Sequence, residues 1–337
     1  MVRAFAVKME LKRSQEGRRI YSLHTAIMTR MSVSPYPLAE LHVHLEGSVE
    51  PETLLEIDPS LTRAEIDAAT SYADFGGFLK SFVWVNRFLK QPEDYARVAK
   101  RLFERLAGEG VSYAEVTLSV GVVLWKQQEF APIYEALQRE AARSPIQVRW
   151  ILDAIRQFGP EPAKPVFELA AERVNEGVVA IGIGGDEVRG PATLFGELFR
   201  EARDKGLRLT CHAGEIAGAE SVWHALEIGA ERIGHGIHAI DDPALVAHLA
   251  AKKIPLEVCI TSNLRTGAVA SLAAHPVKRL YDAGVPILLN TDDPALFDCT
   301  LTSEFELAGR EFGFTSQQLQ GLAQNAFAFA FGGDFGK

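Results

Sequence analysis

His42 and His44 stand two residues apart in the stretch LAELHVHLEGSVEPE, Leu38 to Glu52, and are followed after Leu45 by a Glu-Gly pair where a strand should stop. Residues two apart on a strand point to the same face, so both imidazoles can reach one cation. The spacing alone is weak, because nine histidines in 337 residues give an H-x-H by chance in roughly one such chain in four. His212 in HAGE and Asp292 in TDDP strengthen it by completing a set of three imidazoles and one carboxylate. Such a set binds a metal and leaves a position open for water. Glu215, His235 and Asp293 lie beside these candidate ligands and add further groups able to move protons.

The elements that must position these side chains are legible as a rhythm. From Leu38 onward, short apolar runs rich in β-branched residues alternate with longer stretches of helical period. The expected strands are Ala39 to His44, Val111 to Val120, Val148 to Ile155, Val178 to Gly185, Leu207 to Gly214, Arg232 to Gly236, Pro255 to Ser262 and Pro286 to Asp293. Between them lie helical patterns such as YARVAKRLFERLAGEG, where Val98, Leu102 and Leu106 share a face and Gly108 or Gly110 ends the helix. Eight such units are the number that closes a (β/α)8 TIM barrel, an α/β fold. An open doubly wound sheet is the competing arrangement, and no G-x-G-x-x-G opens a helix to support it. A barrel gathers chemistry at the carboxyl ends of its strands, and these are the ends at which the polar residues accumulate: His42 and His44, His212 and Glu215, His235, then Asp292 and Asp293. A packing role does not explain them, since a buried polar group without a partner costs about 1–3 kcal/mol.

Composition narrows the rest. A chain with 47% hydrophobic residues and a formal charge of −9 offers no general field for nucleic-acid phosphates, so no nucleic-acid partner is expected. Cys211, Cys259 and Cys299 form neither a C-x-x-C metal clip nor an even disulfide framework, and a cytoplasmic setting is the expectation. No apolar run approaches the roughly 20 residues of a membrane span. Residues 1–37 carry seven Lys/Arg against two Glu and read as a basic, disordered extension with no catalytic role. Residues 38–337 read as one domain.

The motifs ELHVHLEG, HAGE, IGHGI, SNLRTG and TDDP, in this order and at these separations, resemble those of the adenosine deaminase family, over about Leu38 to Phe331. The resemblance implies an amidohydrolase barrel of the metal-dependent hydrolase type with a helical insert after its first strand. It implies one zinc on His42, His44, His212 and Asp292, and hydrolytic deamination of a 6-aminopurine. Glu215, His235 and Asp292 become the catalytic groups. Glu215 would protonate the ring, which needs it held as an acid by burial. His235, between the glycines of GHG, would steady hydroxide and oxyanion. Asp293, Gly185, Glu46 and His44 would contact the substrate, Gly185 through its backbone amide. In the insert DFGGFLKSFVWVNRFLK, the surplus of apolar side chains suggests that Phe78, Leu79 and Phe82 cover the pocket.

Two positions depart from the family pattern. Glu46 stands where an Asp is usual, one methylene longer and near where a ribose would lie; a carboxylate there favours a hydroxyl or a cation and disfavours phosphate. Gly182 stands where an Asp is usual, which is expected to remove a charge from the barrel interior. Relatives with altered sugar-facing residues act on adenine or on 6-aminodeoxyfutalosine, whose ribose carries an enlarged 5′ substituent. A two-metal hydrolase would need a bridging Lys or Glu on strand four, which VVAIGIGG lacks. The zinc deaminases built on H-x-E and P-C-x-x-C are excluded by the cysteine spacing. A purine-binding protein without activity would be expected to have lost Glu215 or a ligand. His24, His224, His238, His248 and His275 fall outside the strand-end set and read as structural or surface residues. Oligomeric state has no sequence signature.

Overall fold

A computed structural model describes residues 35–333. The basic segment therefore lies, apart from residues 35–37, outside the described residues, as does His24. Eight strands run parallel and pair in chain order: β1 (Leu38–His44), β2 (Val111–Leu118), β3 (Gln147–Ile155), β4 (Val178–Gly184), β5 (Arg208–Ala213), β6 (Arg232–His235), β7 (Leu256–Val258) and β8 (Ile287–Leu289). Parallel strands flanked by helices are buried on both faces, and β1, β7 and β8 accordingly have no exposed residue.

Helices between the strands form because their apolar residues recur on one face. In helix Pro92–Gly108, Tyr95, Val98, Ala99, Leu102, Phe103 and Leu106 are buried. Proline opens this helix, the Asp94 carboxylate accepts from the Gln91 N–H at 2.9 Å, and Gly110 at φ +86° turns the chain into β2. The insert after β1 is helical, with Phe75–Asn86 its longest element before Pro92. Among the described residues no helix is long and apolar enough to cross a membrane.

Three strands end two or more residues earlier than the sequence suggests. β2 stops at Leu118 because Ser119 leads into helix Val120–Trp125 and gives its N–H to Glu46 Oε1 at 3.0 Å. β7 stops at Val258, and helix Ile260–Arg265 begins, with the Glu304 carboxylate accepting from the N–H groups of Ile260 at 2.7 Å and Thr261 at 3.2 Å. β8 stops at Leu289, leaving Asn290 to Asp293 to run alongside β1.

That last segment closes the barrel. Asp292 N–H donates to His42 O at 2.9 Å and Asp292 O accepts from His44 N–H at 2.8 Å. Below it, Asn290 Oδ1 accepts from Leu41 N–H at 2.9 Å, and Thr291 Oγ1 lies 3.0 Å from the buried Glu40 carboxylate. Asn290→Ala leaves the buried Leu41 N–H unpaired, and should destabilise the protein by about 1–3 kcal/mol. Urea unfolding followed by circular dichroism reads this as a lowered midpoint; an unchanged midpoint would show that the seam does not depend on that bond.

Candidate active site

The seam sets the geometry of the site. Because the Asp292 backbone is bonded to both His42 and His44, its side chain meets theirs: Asp292 Oδ1 lies 3.4 Å from His42 Nε2 and 3.3 Å from His44 Nε2. His212, from β5, brings its Nε2 to 3.2 Å from His44 Nε2. Tetrahedral ligands about 2.0–2.2 Å from zinc are separated by about 3.3 Å, so these spacings suit one ion. His42 Nε2 is buried without a hydrogen-bond partner, which a cation would supply. Donor atoms of His42, His212, His235 and Asp292 all lie within 4.8 Å of one another, so His235 stands at the edge of the same centre. Both His235 (φ +60°) and Asp292 (φ +69°) adopt the left-handed backbone that side chains disfavour. Such strain costs about 1–3 kcal/mol and collects at functional sites.

Buried partners orient the ligands. Glu257 Oε2 lies 2.8 Å from His42 Nδ1 and accepts its proton, which leaves Nε2 free as a ligand. Glu257 is itself fixed by Arg232, whose Nε is 2.6 Å from Oε1, and Arg232 Nη1 is 2.6 Å from Glu115 Oε2. The Phe331 ring lies 3.7 Å from the Arg232 guanidinium carbon, and Phe331 N–H donates to Glu115 Oε1. Burial pulls the His42 pKa down, but the neighbouring Asp292 and Glu257 carboxylates push it up to about 9. The two carboxylates thus make this a place for positive charge. Gly234 provides room for the rings: a Cβ there would sit 2.9 Å from His42 Cε1. Its neighbour Gly236 serves a different need, a turn at φ +66°.

The acids are driven apart. Burial raises Asp292, yet hydrogen bonds with His42 and His44 hold it well below the usual carboxylate range. Asp293 is pushed well above that range, by burial and by the adjacent Asp292 charge. Their environments thus push the two neighbouring carboxyl groups in opposite directions. Asp293 lies against the Gly47 backbone, where a Cβ would fall 1.7 Å from its Oδ1. Glu215 is likewise raised well above the ordinary value by burial, then by Asp292 and Glu187, and its Oε2 is 3.7 Å from His235 Nε2. Burial lowers His235 to about 4, so its ring is neutral at pH 7.

Several supporting residues are absent from the sequence reading. Glu187 accepts from the N–H groups of Gly214 (2.8 Å), Glu215 (2.9 Å) and Ile216 (2.9 Å), and so fixes the loop that carries Glu215. It stands in the same GIGGDE run as Gly185, and a buried acid there was the available signal. Ser262 Oγ donates to Asp292 Oδ2 at 2.7 Å. His275, expected to be structural or surface, is buried and bonds Asn263. The space beside Gly182 is nonetheless occupied by a carboxyl group. Asp153, on β3, fills that space, its Oδ1 lying 3.0 Å from where a Gly182 Cβ would be. Burial raises Asp153 to about 7.

The remaining expected residues sit around this centre. Glu46 is fully buried and its Oε2 has no hydrogen-bond partner. Gly185, at φ +103°, directly follows β4 and packs against Gln157, whose Oε1 would lie 2.3 Å from a Cβ. Phe78 stacks on Phe297 with centroids 5.0 Å apart, which docks the insert on the helix following Asp293; Leu79 and Phe82 are half-buried. Phe78 thus acts in packing, beside whatever it covers. Of the other histidines, His238 pairs with Asp241 at 3.0 Å, and His224 and His248 are outside the cluster.

Known proteins resemble this chain over most of its length. An adenosine deaminase from Erwinia tasmaniensis is 36% identical over 316 residues, covering 88% of this chain and 95% of the relative. An aminodeoxyfutalosine deaminase from Streptomyces avermitilis is 36% identical over 332 residues, covering 94% and 90% respectively. The crystal structure of an amidohydrolase from Burkholderia ambifaria with bound Zn superposes with a TM-score of 0.82 at 30% identity, over 88% of this chain and 86% of that one. With residues 37–336 matching the family described as adenosine deaminase, the chain belongs to that family of hydrolytic deaminases on a TIM barrel.

Proposed function

We propose that the protein uses one zinc ion to deaminate a 6-aminopurine nucleoside hydrolytically, giving the 6-oxo product and ammonia. The observation that carries this reading is the convergence of His42, His44, His212 and Asp292 Oδ1 at separations of 3.2–3.4 Å, with the buried Glu215 beside them. Bound there, zinc would lower the pKa of water from 15.7 to about 7 and so supply hydroxide at neutral pH.

The chain's own groups perform the remaining work. Attack at the amino-bearing carbon breaks ring aromaticity unless the neighbouring ring nitrogen gains a proton, and Glu215, kept as an acid by burial, delivers it. His235 faces Glu215 Oε2 at 3.7 Å and Asp292 Oδ2 at 3.9 Å, where a hydrogen bond to the developing oxyanion would form. Asp292 stays ionised and accepts a hydrogen bond from the attacking water. Asp293, held neutral, donates to a ring nitrogen and so orients the purine. Gly185 offers its backbone amide to the ring's other side. Glu46, with one carboxylate oxygen unpartnered, suits a hydroxyl of the substrate and disfavours phosphate.

A second reading within this class, deamination of a nucleoside with an enlarged 5′ substituent such as aminodeoxyfutalosine, rests on the rim. Among the described residues the exposed large apolar side chains are Val83, Trp125, Phe158, Val188, Leu194 and Ile216. All six lie on segments leaving the carboxyl ends of β1 to β5. Trp125 is 61% and Phe158 42% exposed, with centroids 6.4 Å apart. The exposed Trp125–Phe158 pair, on the segments that follow β2 and β3, favours a ligand extending beyond the purine and its sugar.

Ammonia release from adenosine, adenine, 5′-methylthioadenosine and aminodeoxyfutalosine, measured side by side, tests both readings. Highest kcat/KM on the last supports the rim argument; release from none of them overturns the proposal. Chelation should abolish turnover and zinc restore it. Glu215→Gln should retain zinc and substrate binding while kcat falls at least about 100-fold; a loss of less than about tenfold contradicts its role. Glu257→Gln, which weakens the orientation of His42, should lower zinc affinity about 10–100-fold in a competition titration, and unchanged affinity would remove Glu257 from the account.

A further inference from the structure

Val277 N–H is a backbone donor whose direction the chain fixes, and it points at His275 Nδ1 from 3.2 Å. That nitrogen must therefore accept. A cationic His275 would set two N–H groups against each other, so the ring is neutral with its proton on Nε2. Nε2 lies 3.2 Å from Asn263 Oδ1, to which it donates. Asn263 is fully buried and has no freedom to turn over: reversed, its amide N–H would meet the His275 N–H head on. Its Nδ2 consequently donates to His235 Nδ1 at 3.1 Å. With Nδ1 accepting, the proton of His235 resides on Nε2, which faces Glu215 Oε2 at 3.7 Å and Asp292 Oδ2 at 3.9 Å.

We infer that His275, acting through Asn263, is a positioning residue that locks His235 in its Nε2–H tautomer. The catalytic consequence rests on the proposed deamination: an Nε2–H donor stabilises oxygen as negative charge builds, whereas the other tautomer would present a lone pair to it. The chain of bonds runs Val277, His275, Asn263, His235, and every side chain in it is at most 5% exposed. Water does not compete for these groups, so one direction of donation persists along the whole chain. His275 also packs edge-on against Phe312, with centroids 5.7 Å apart.

Nitrogen NMR of the zinc-loaded, full-length protein labelled with 15N-histidine tests this, with His235 assigned from its loss in His235→Gln. The expected spectrum has His235 protonated at Nε2 and bare at Nδ1; the reverse overturns the inference, whether or not any purine is turned over. His275→Phe should leave zinc content and KM close to native, mix the His235 tautomers and lower kcat about 100-fold. His275→Gln, whose side-chain amide can replace the Nε2–H donor, should recover most of that loss. Native kcat in His275→Phe would refute the inference. If that variant fails to fold, the native spectrum and His275→Gln decide.

Discussion

Two backbone hydrogen bonds across the barrel seam tie Asp292 to His42 and His44, at 2.9 and 2.8 Å. Main-chain bonds of this kind allow little latitude, so the carboxylate and the two imidazoles meet wherever the barrel closes. Everything proposed for the site follows from that closure. A one-residue slip between the segment after β8 and β1 would turn the Asp292 side chain outward and leave the histidines without their anion. The left-handed backbone of Asp292 and His235 is the local cost of this arrangement, and the surrounding packing sustains it.

Around the seam the protein buries many charges, which is expensive unless each is paired. Glu115, Arg232 and Glu257 alternate in sign, and the series ends at His42. Its purpose is directional: one Glu257 oxygen settles which His42 nitrogen faces the cation. On the other side, Glu187 holds the backbone under Glu215, and Ser262 binds the second oxygen of Asp292. Burial near an anion raises the pKa of Glu215 and Asp293, while the surrounding imidazoles lower that of Asp292. Environment, rather than residue type, sets the three carboxyl groups apart.

Much of this was legible in the sequence. Eight β-α units, the strand-end histidines and the ordered motifs specify the barrel and the residues of its centre, since period and polarity are local signals. The ends of β2 and β7 were not, because an apolar run of this length suits a strand or the first turn of a helix equally well; nor was that of β8, beyond which the chain stays beside β1 without continuing its own strand. Supporting residues were hidden for another reason. Asp153 fills the space left by Gly182, and Arg232 reaches Glu257 and Glu115, only once neighbouring strands are registered against each other. His275 looks unremarkable by spacing, yet the fold puts Asn263 between it and His235. A charged residue inside an otherwise apolar strand, as at Glu115, Asp153 and Arg232, was the one available clue.

The central claim is that His42, His44, His212 and Asp292 hold a single zinc ion. Diffraction from crystals of the zinc-loaded protein, recorded on both sides of the zinc absorption edge, tests it most directly. The account predicts one anomalous peak per chain, within about 2.0–2.2 Å of His42 Nε2, His44 Nε2, His212 Nε2 and Asp292 Oδ1. A peak bound elsewhere, or none at this centre in zinc-replete crystals, would contradict it.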